Sequence, residues 1–186
     1  MVEARWFYRN AEDLIAIAED LKLTACLHCK VVGMLIWHGG LQGIDESRGQ
    51  IVLRARRVFC SNRNSRTGCG RTVSVWLADR IRRLKVTTRR LWKFLQLAVV
   101  SPIEAAIRAL DSRLSDRTWQ RIWRRFLLAQ SEIRTALANR CPVPERPEKP
   151  SRRPTVLVVL AHLQAAFPNV ACPIAAFQHT IRDFFL

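Results

Sequence analysis

The chain has 186 residues, enough for one ordinary domain or two small ones. Its 31 Lys and Arg residues outnumber 15 Asp and Glu residues, and the formal net charge of +16 favours a polyanionic partner, with nucleic acid as the first candidate. No apolar run approaches the roughly 20 residues of a membrane span, and the first residues lack the apolar core of a signal peptide. We therefore expect no membrane partner and a cytoplasmic, nucleoid-associated location.

The N-terminal segment, residues 1–24, is predicted to contain one acidic helix. Asn10 precedes AEDLIAIAEDLKL and can accept a hydrogen bond from a free backbone N–H of the first turn. Glu12 and Asp13 suit the positive end of the helix. The apolar residues at helical spacing are Leu14, Ile17, Ala18 and Leu21. We expect this helix to be structural and to pack on the module that follows.

Residues 25–78 are predicted to form a small antiparallel β module. Two β-like runs, VVGMLIW and QIVLRARRVF, are joined by HGGLQGIDESRG, whose glycines and polar residues suit a turn or a loop. Cys26 and Cys29 precede the first run, and Cys60 and Cys69 follow the second. An antiparallel hairpin would bring the two pairs together, because both lie at its open end.

Four cysteines supplied by two turns are a typical ligand set for a structural zinc ion. The first pair has C-x2-C spacing, whereas the second has C-x8-C spacing, which is wider than an ordinary tight knuckle. The alternatives are buried cysteines without a metal and a redox pair, although no βαβ pattern surrounds the C-x-x-C sequence. His28 and His38 are replacement ligands if a cysteine of the second pair does not bind. Cys141 and Cys172 lack partners at ligand spacing and are interpreted as ordinary thiols.

Basic residues are concentrated in one part of the chain. Residues 48–93 contain fourteen Lys and Arg residues and one acid, Asp79. Arg predominates over Lys, which favours two-pronged contacts to phosphate or guanine. The loop between Cys60 and Cys69 carries Asn, Ser, Thr and Arg residues and is a candidate contact loop. The alternative is a basic face that is only solvated.

Residues 79–140 are predicted to form three helices. Thr87 or Thr88 can cap RRLWKFLQLAVV. In SPIEAAIRALDS, Ser101 is predicted as the N-cap, with Pro102 at the first helical position and Glu104 completing a capping box. Ser115 is predicted to precede the third helix, DRTWQRIWRRFLLAQSEIRTAL, which is amphipathic and basic.

The second and third of these helices are spaced like a helix-turn-helix around DSRLS. In that arrangement the start of the third helix would face the major groove of duplex DNA. Its predicted readers and phosphate contacts are Arg117, Thr118, Gln120, Arg121 and Arg124, and its predicted packing residues are Trp119, Ile122, Trp123 and Phe126. A plain three-helix bundle with a charged outer face is the alternative.

Residues 141–154, CPVPERPEKPSRRP, contain five prolines and are predicted to be a stiff, extended linker. Residues 155–186 then contain two short helical patterns, TVLVVLAHLQAAF and CPIAAFQHTIRDFF. These two helices are too small to form a core alone. We expect the tail either to dock on its own chain or to bind a protein partner, and the sequence leaves both open.

The stretch VFCSNRNSRTGCGRTVSV, with CLHC and IWHGGLQG before it, resembles the N-terminal zinc-ribbon and helix-turn-helix regions of bacterial insertion-sequence transposases and related small uncharacterised zinc-ribbon proteins. The likeness covers about residues 24–138. It implies that the four cysteines bind Zn²⁺ and that the following helices bind transposon-end DNA. Val73 stands where the CGRTF ending has Phe. No room remains for an RNase H-like catalytic domain, and the acids beyond Arg134 are Glu145, Glu148 and Asp183.

The sequence therefore predicts an α+β, mainly α fold: a small antiparallel β zinc ribbon, a helix-turn-helix-like bundle and a short helical tail. We expect a non-catalytic protein that binds double-stranded DNA and serves as a mobile-element accessory or regulator. An RNA-binding or ribosome-associated zinc protein and a DNA-targeting subunit of a nuclease or transposase are the alternatives. The predicted nucleic-acid contacts outside the third helix are Arg54, Arg56, Arg57, Arg63, Arg66, Arg71, Arg82, Arg83, Arg89 and Arg90.

Overall fold

The computed structural model describes residues 6–46, 49–145 and 151–186. Parts of the predicted N-terminal segment, the first loop and the proline-rich linker, including Glu148, lie outside these ranges. The described residues form six helices and a four-stranded mixed sheet, so the predicted α+β class is confirmed. In chain order the elements are β1 Trp6–Tyr8, α1 Ala11–Asp20, β2 Leu35–Ile44, β3 Ile51–Cys60, β4 Thr72–Leu77, α2 Thr88–Val100, α3 Ile103–Arg108, α4 Asp116–Ala138, α5 Pro154–Ala166 and α6 Pro173–Ile181.

The sheet has the strand order β1-β4-β3-β2, and only β1 and β4 pair in parallel. The predicted hairpin is present, with Leu35 opposite Cys60 and Ile44 opposite Ile51. The prediction of a turn or loop beginning at His38 was wrong, because β2 continues through Ile44. Pairing with β3 satisfies the backbone of this glycine-rich stretch, and a bulge between Trp37 and Gly40 absorbs its irregularity.

Two of the four strands, β1 and β4, were not predicted from the sequence. β4 has the sequence TVSVWL, whose β-branched and aromatic residues were a usable signal. β1 has three residues and is held by parallel pairing with β4, in which Phe7 lies opposite Trp76. A strand this short has no local signal, because its partner lies far away in the chain.

Three of the predicted helix caps are confirmed. The side chains of Asn10, Thr87 and Ser115 accept hydrogen bonds from the third residue after each cap. The capping box at Ser101 was wrong. The hydroxyl of Ser101 donates to the Leu97 carbonyl at 2.8 Å and closes the end of α2, so α3 begins after Pro102 without a side-chain cap. Unpaired carbonyls at the end of a helix compete for the same hydroxyl that would cap the next helix.

The helices α2 to α6 share one hydrophobic core. Trp119 and Phe126 of α4 are fully buried in it, which confirms that Trp119 is a packing residue. Val159 and Leu163 of α5 and Ile174 of α6 are buried in the same core. The tail therefore docks on its own chain.

The residues that lead into α5 are attached to the end of α2. The Ser151 hydroxyl and the Arg152 backbone N–H both donate to the Val99 carbonyl at 3.2 Å. The Arg153 guanidinium donates to the Ser101 carbonyl at 2.8 Å and lies over the Trp123 ring. These contacts fix the start of α5 beside α2 and α4.

A second, smaller core lies between the sheet and α1. Its buried members are Tyr8, Leu21, Cys26, Leu35, Val58, Cys60 and Val75, with Leu14 and Ile17 of α1 packed against them. The predicted docking of α1 on the β module is thus observed. Within the described residues, no helix combines the length and the hydrophobicity that crossing a bilayer requires.

Candidate functional site

Four cysteine sulfurs converge at the open end of the β2–β3 hairpin. Cys26, Cys29, Cys60 and Cys69 place their Sγ atoms within 4.8 Å of one another. The Sγ atoms of Cys26 and Cys69 are 3.8 Å apart, and those of Cys29 and Cys60 are 3.7 Å apart. Disulfide sulfurs would lie about 2.05 Å apart. A tetrahedral ion with metal–sulfur bonds of about 2.3 Å, as zinc has, separates its sulfurs by about 3.8 Å. The four thiols therefore fit a metal ion.

The first cysteine turn is closed by backbone hydrogen bonds. The Cys26 N–H donates to the Val31 carbonyl and the Lys30 N–H donates to the Cys26 carbonyl, both at 2.9 Å. Lys30 adopts a positive φ of 62°. The His28 N–H donates to Cys26 Sγ at 3.4 Å. The turn thus presents both sulfurs on the same side.

The second cysteine turn repeats this backbone pattern once residues 62–67 are set aside. The Cys60 N–H donates to the Arg71 carbonyl and the Gly70 N–H donates to the Cys60 carbonyl, again at 2.9 Å. Gly70 has φ of 71°, at the place that Lys30 occupies in the first turn. The Cys69 N–H donates to Cys60 Sγ at 3.3 Å. The C-x8-C spacing is therefore a knuckle like the first one, with a six-residue excursion inserted into it.

Gly68 closes the base of this excursion. Its N–H donates to the Ser61 carbonyl at 3.1 Å, so residues 61 and 68 are drawn together. A Cβ at Gly68 would overlap the backbone of Ser61 and Cys60. Only glycine fits this close approach of two backbone segments. The glycine on each side of Cys69 was a sequence signal for this tight turn. The spacing of the cysteines alone does not reveal it.

We expect Gly68→Ala to weaken metal binding, because the added methyl group must push Cys69 away from Cys60. The measurement is competition for the metal with a chelator of known affinity. Gly39→Ala is the control: it strains the backbone, because Gly39 has a positive φ of 72°, but its added Cβ would contact nothing within 4 Å. Equal metal affinities of the two variants would contradict the role assigned to Gly68.

The pKa values of Cys29 and Cys60 are shifted in opposite directions. A hydrogen bond from the Val31 N–H, assisted by the other thiols, lowers the pKa of Cys29 to about 7. Burial raises the pKa of Cys60 to about 12. Four thiolates in contact would repel one another, so a cation is needed before all four can ionise together. The donor set is therefore suited to a dication.

The excursion and its neighbours present basic residues to solvent. All six residues 62–67 are exposed, and so are Arg56 and Arg71, while Arg57 is partly buried. The Arg63 guanidinium lies over the Phe59 ring, 5.3 Å from its centroid. Within the described ranges, no carboxylate forms an ion pair with Arg63, Arg66 or Arg71. These arginines are available to an external anion.

Two of the predicted contact residues are instead occupied inside the protein. Arg54 donates to the carbonyls of Ile81 and Leu84, the first at 2.6 Å, and burial lowers its pKa. Arg90 donates to the carbonyls of Leu110 and Asp111 and pairs with Glu46 at 3.0 Å. Their guanidinium groups connect loops and are less available for nucleic acid than the exposed arginines.

The remaining predicted contacts fall into two groups. On α4, Arg117, Arg121 and Arg124 are exposed, whereas Gln120 is partly buried and the Thr118 hydroxyl lies 3.0 Å from the Ser115 hydroxyl at the cap. Between the sheet and α2, Arg83 is exposed and Arg82 lies over the Phe184 ring, and Arg89 is exposed in the first turn of α2. His28 and His38 do not join the sulfur cluster, and Cys141 and Cys172 lie away from it among the helices.

Comparison of the chain with known proteins and structures finds no match. No protein family model matches the chain, and neither a curated protein nor a solved structure is significantly similar to it. The function must therefore be inferred from the geometry of the chain itself.

Proposed function

We propose that the four cysteines hold one structural Zn²⁺ ion and that the protein uses the surface beside this ion to bind nucleic acid. Thiolate sulfur is a preferred ligand of Zn²⁺, and a site with four protein ligands is closed to substrate, which suits a structural ion. The two matching knuckles at ligand distance support the metal assignment. The zinc then acts by fixing the hairpin end from which residues 62–67 project.

The observation that carries the nucleic-acid proposal is the exposed excursion between two metal ligands. It holds Arg63 and Arg66 at one end of a sheet, where no carboxylate of the described residues pairs with them, and Arg71 lies shortly after Cys69. Side chains held at a rigid base lose less freedom on binding than side chains on an unrestrained loop. Arginine forks and asparagine amides there can contact phosphate oxygens or base edges.

We propose duplex DNA as the partner, with α4 as the second contact surface. The buried aromatic residues of α4 leave Arg117, Arg121 and Arg124 on its exposed side, near the helix start. A helix-turn-helix formed by α3 and α4 would place these arginines in the major groove. In this proposal the protein is a non-catalytic accessory or regulator of a mobile element.

We expect Arg66→Ala and Arg121→Ala each to weaken duplex binding. Each variant should also release about one counterion fewer on binding, which lowers the salt dependence of the affinity. Arg152→Ala is the matched control, because Arg152 is exposed but lies outside both proposed surfaces. The measurement is fluorescence anisotropy with labelled duplexes over a series of salt concentrations. Single-stranded RNA of the same sequence provides the competitor.

Three results would each remove part of this proposal. Equal losses in Arg66→Ala and Arg152→Ala would show binding by overall charge rather than by the excursion. An unchanged duplex affinity of Arg121→Ala would contradict the assignment of α4 to the interface. Tighter binding of RNA than of duplex DNA would favour the alternative of an RNA-binding zinc protein.

A further inference from the structure

A cleft of about 750 Å³ opens where the sheet module meets the first turn of α2 and the helix α6. Asp79, Thr88 and Arg89 form part of its wall, and His179 contributes from α6. None of the four clustered cysteines lines it. The cleft is therefore separate from the candidate metal centre.

The first turn of α2 is unusual in its charge. It contains no acidic residue, although acids are favoured at the positive end of a helix. The Thr88 N–H donates to the Asp79 carbonyl at 2.8 Å, and the Arg90 N–H donates to Thr87 Oγ1 at 3.2 Å. Among the described residues, no acceptor contacts the Arg89 N–H. One backbone donor at this helix end is thus left for another acceptor.

A second donor at the same place also lacks a partner. Thr88 is fully buried, and its Oγ1 has no hydrogen-bond partner within the part of the chain that the structure describes. Buried hydroxyl groups are normally paired, because an unpaired one has lost its hydrogen bonds to water. The neighbouring Arg89 side chain is exposed, and none of the described carboxylates forms an ion pair with it. Two unused donors and a cation therefore meet at the start of one helix.

We propose that this cleft binds a phosphate group at the start of α2, through the Thr88 hydroxyl, the Arg89 N–H and the Arg89 guanidinium. Phosphate oxygens accept hydrogen bonds from backbone N–H groups at helix starts and from arginine forks. The charges that oppose binding are Asp45 and Asp79, and both carboxylates pair with Arg80, whose Nε lies 3.1 Å from Asp79 Oδ1. These ion pairs reduce the repulsion that a phosphate would meet.

The test uses the full chain, loaded with zinc, and inorganic phosphate at constant ionic strength. We expect phosphate to shift the amide resonances of Thr88 and Arg89 in NMR spectra. Arg89→Ala and Thr88→Val should each weaken phosphate binding about tenfold. Asp79→Asn should strengthen it, whereas Arg152→Ala should leave it unchanged.

Resonance shifts spread over the exposed arginines, or equal losses in Arg89→Ala and Arg152→Ala, would overturn the proposal. Unchanged phosphate binding in Thr88→Val would do the same, because the isosteric valine removes only the hydroxyl. The site does not depend on duplex binding, since its probe is inorganic phosphate, so the two proposals can fail separately. Displacement of phosphate by duplex DNA would identify a backbone phosphate as the natural ligand, and displacement by a nucleoside monophosphate would identify a free nucleotide.

Discussion

Replacing Cys60 with serine is expected to abolish zinc binding and to unfold the sheet module. Cys60 is fully buried, and two of the seven buried residues of the smaller core are proposed ligands, Cys26 and Cys60. Structural zinc sites contribute apparent binding free energies of about 10–16 kcal/mol, which equals or exceeds the total stability of a typical domain. A core this small cannot compensate for that loss. The measurement is zinc per chain by elemental analysis, together with near-ultraviolet circular dichroism.

The control for this experiment is Cys141→Ser. Cys141 packs partly buried against the helical core, and its backbone forms hydrogen bonds there: its N–H donates to the Leu137 carbonyl at 3.0 Å, and its carbonyl oxygen lies 3.0 Å from His162 Nε2. We expect this variant to keep one zinc ion and its fold. The α2–α6 core should survive the loss of zinc in Cys60→Ser, so the helical signal in the far ultraviolet should persist. Purified wild-type protein without bound metal, folded and unaffected by added zinc, would contradict the proposed centre.

The second large effect is expected at Glu46, which joins the sheet module to the helices. Its side chain is 2% exposed and pairs with Arg90 at 3.0 Å. Its other carboxylate oxygen accepts hydrogen bonds from the Ser112 hydroxyl and, at 2.9 Å, from the Arg113 N–H. Trp119 Nε1 in turn donates to the Ser112 hydroxyl oxygen at 2.9 Å. One carboxylate therefore fixes the β2–β3 loop to the turn before α4.

We expect Glu46→Ala to lower the free energy of unfolding by about 3 kcal/mol, because it leaves Arg90 and the Arg113 N–H without this acceptor. The measurement is equilibrium unfolding in urea with zinc present throughout. Glu104→Ala is the matched control, since Glu104 is exposed and should change stability by less than about 0.5 kcal/mol. A loss in Glu46→Ala no larger than in the control would show that the junction does not depend on this carboxylate.

Local chemistry made several features predictable from the sequence. The helix starts after Asn10, Thr87 and Ser115 were predicted correctly because each cap involves a hydrogen bond to a residue three positions away. The convergence of the cysteine pairs was predictable because a hairpin places both of its outer ends together. The burial of Trp119 followed from helical spacing of apolar residues.

Local sequence could not predict which arginines face solvent and which are bound inside the protein. Arg54 and Arg90 look like Arg63 and Arg66 in the sequence, yet the first two bind carbonyls of distant loops and the others face solvent. Ser101 was assigned to the wrong helix because both helix ends lie within its reach. The partners of Glu46 lie more than 40 residues away in the sequence, so no window of sequence contains them.

The sequence by itself determined the net positive charge, the starts of α1, α2 and α4 and the four candidate metal-binding cysteines, because these depend on composition or on neighbours within a few positions. Only the tertiary structure decided that residues 62–67 project from a closed knuckle, that β1 and β4 complete the sheet and that α5 and α6 join the core of α2 to α4. Each of these depends on backbone or side-chain groups brought together from distant parts of the chain. Such contacts form only after distant segments have been brought together, so no short stretch of sequence contains the information that specifies them.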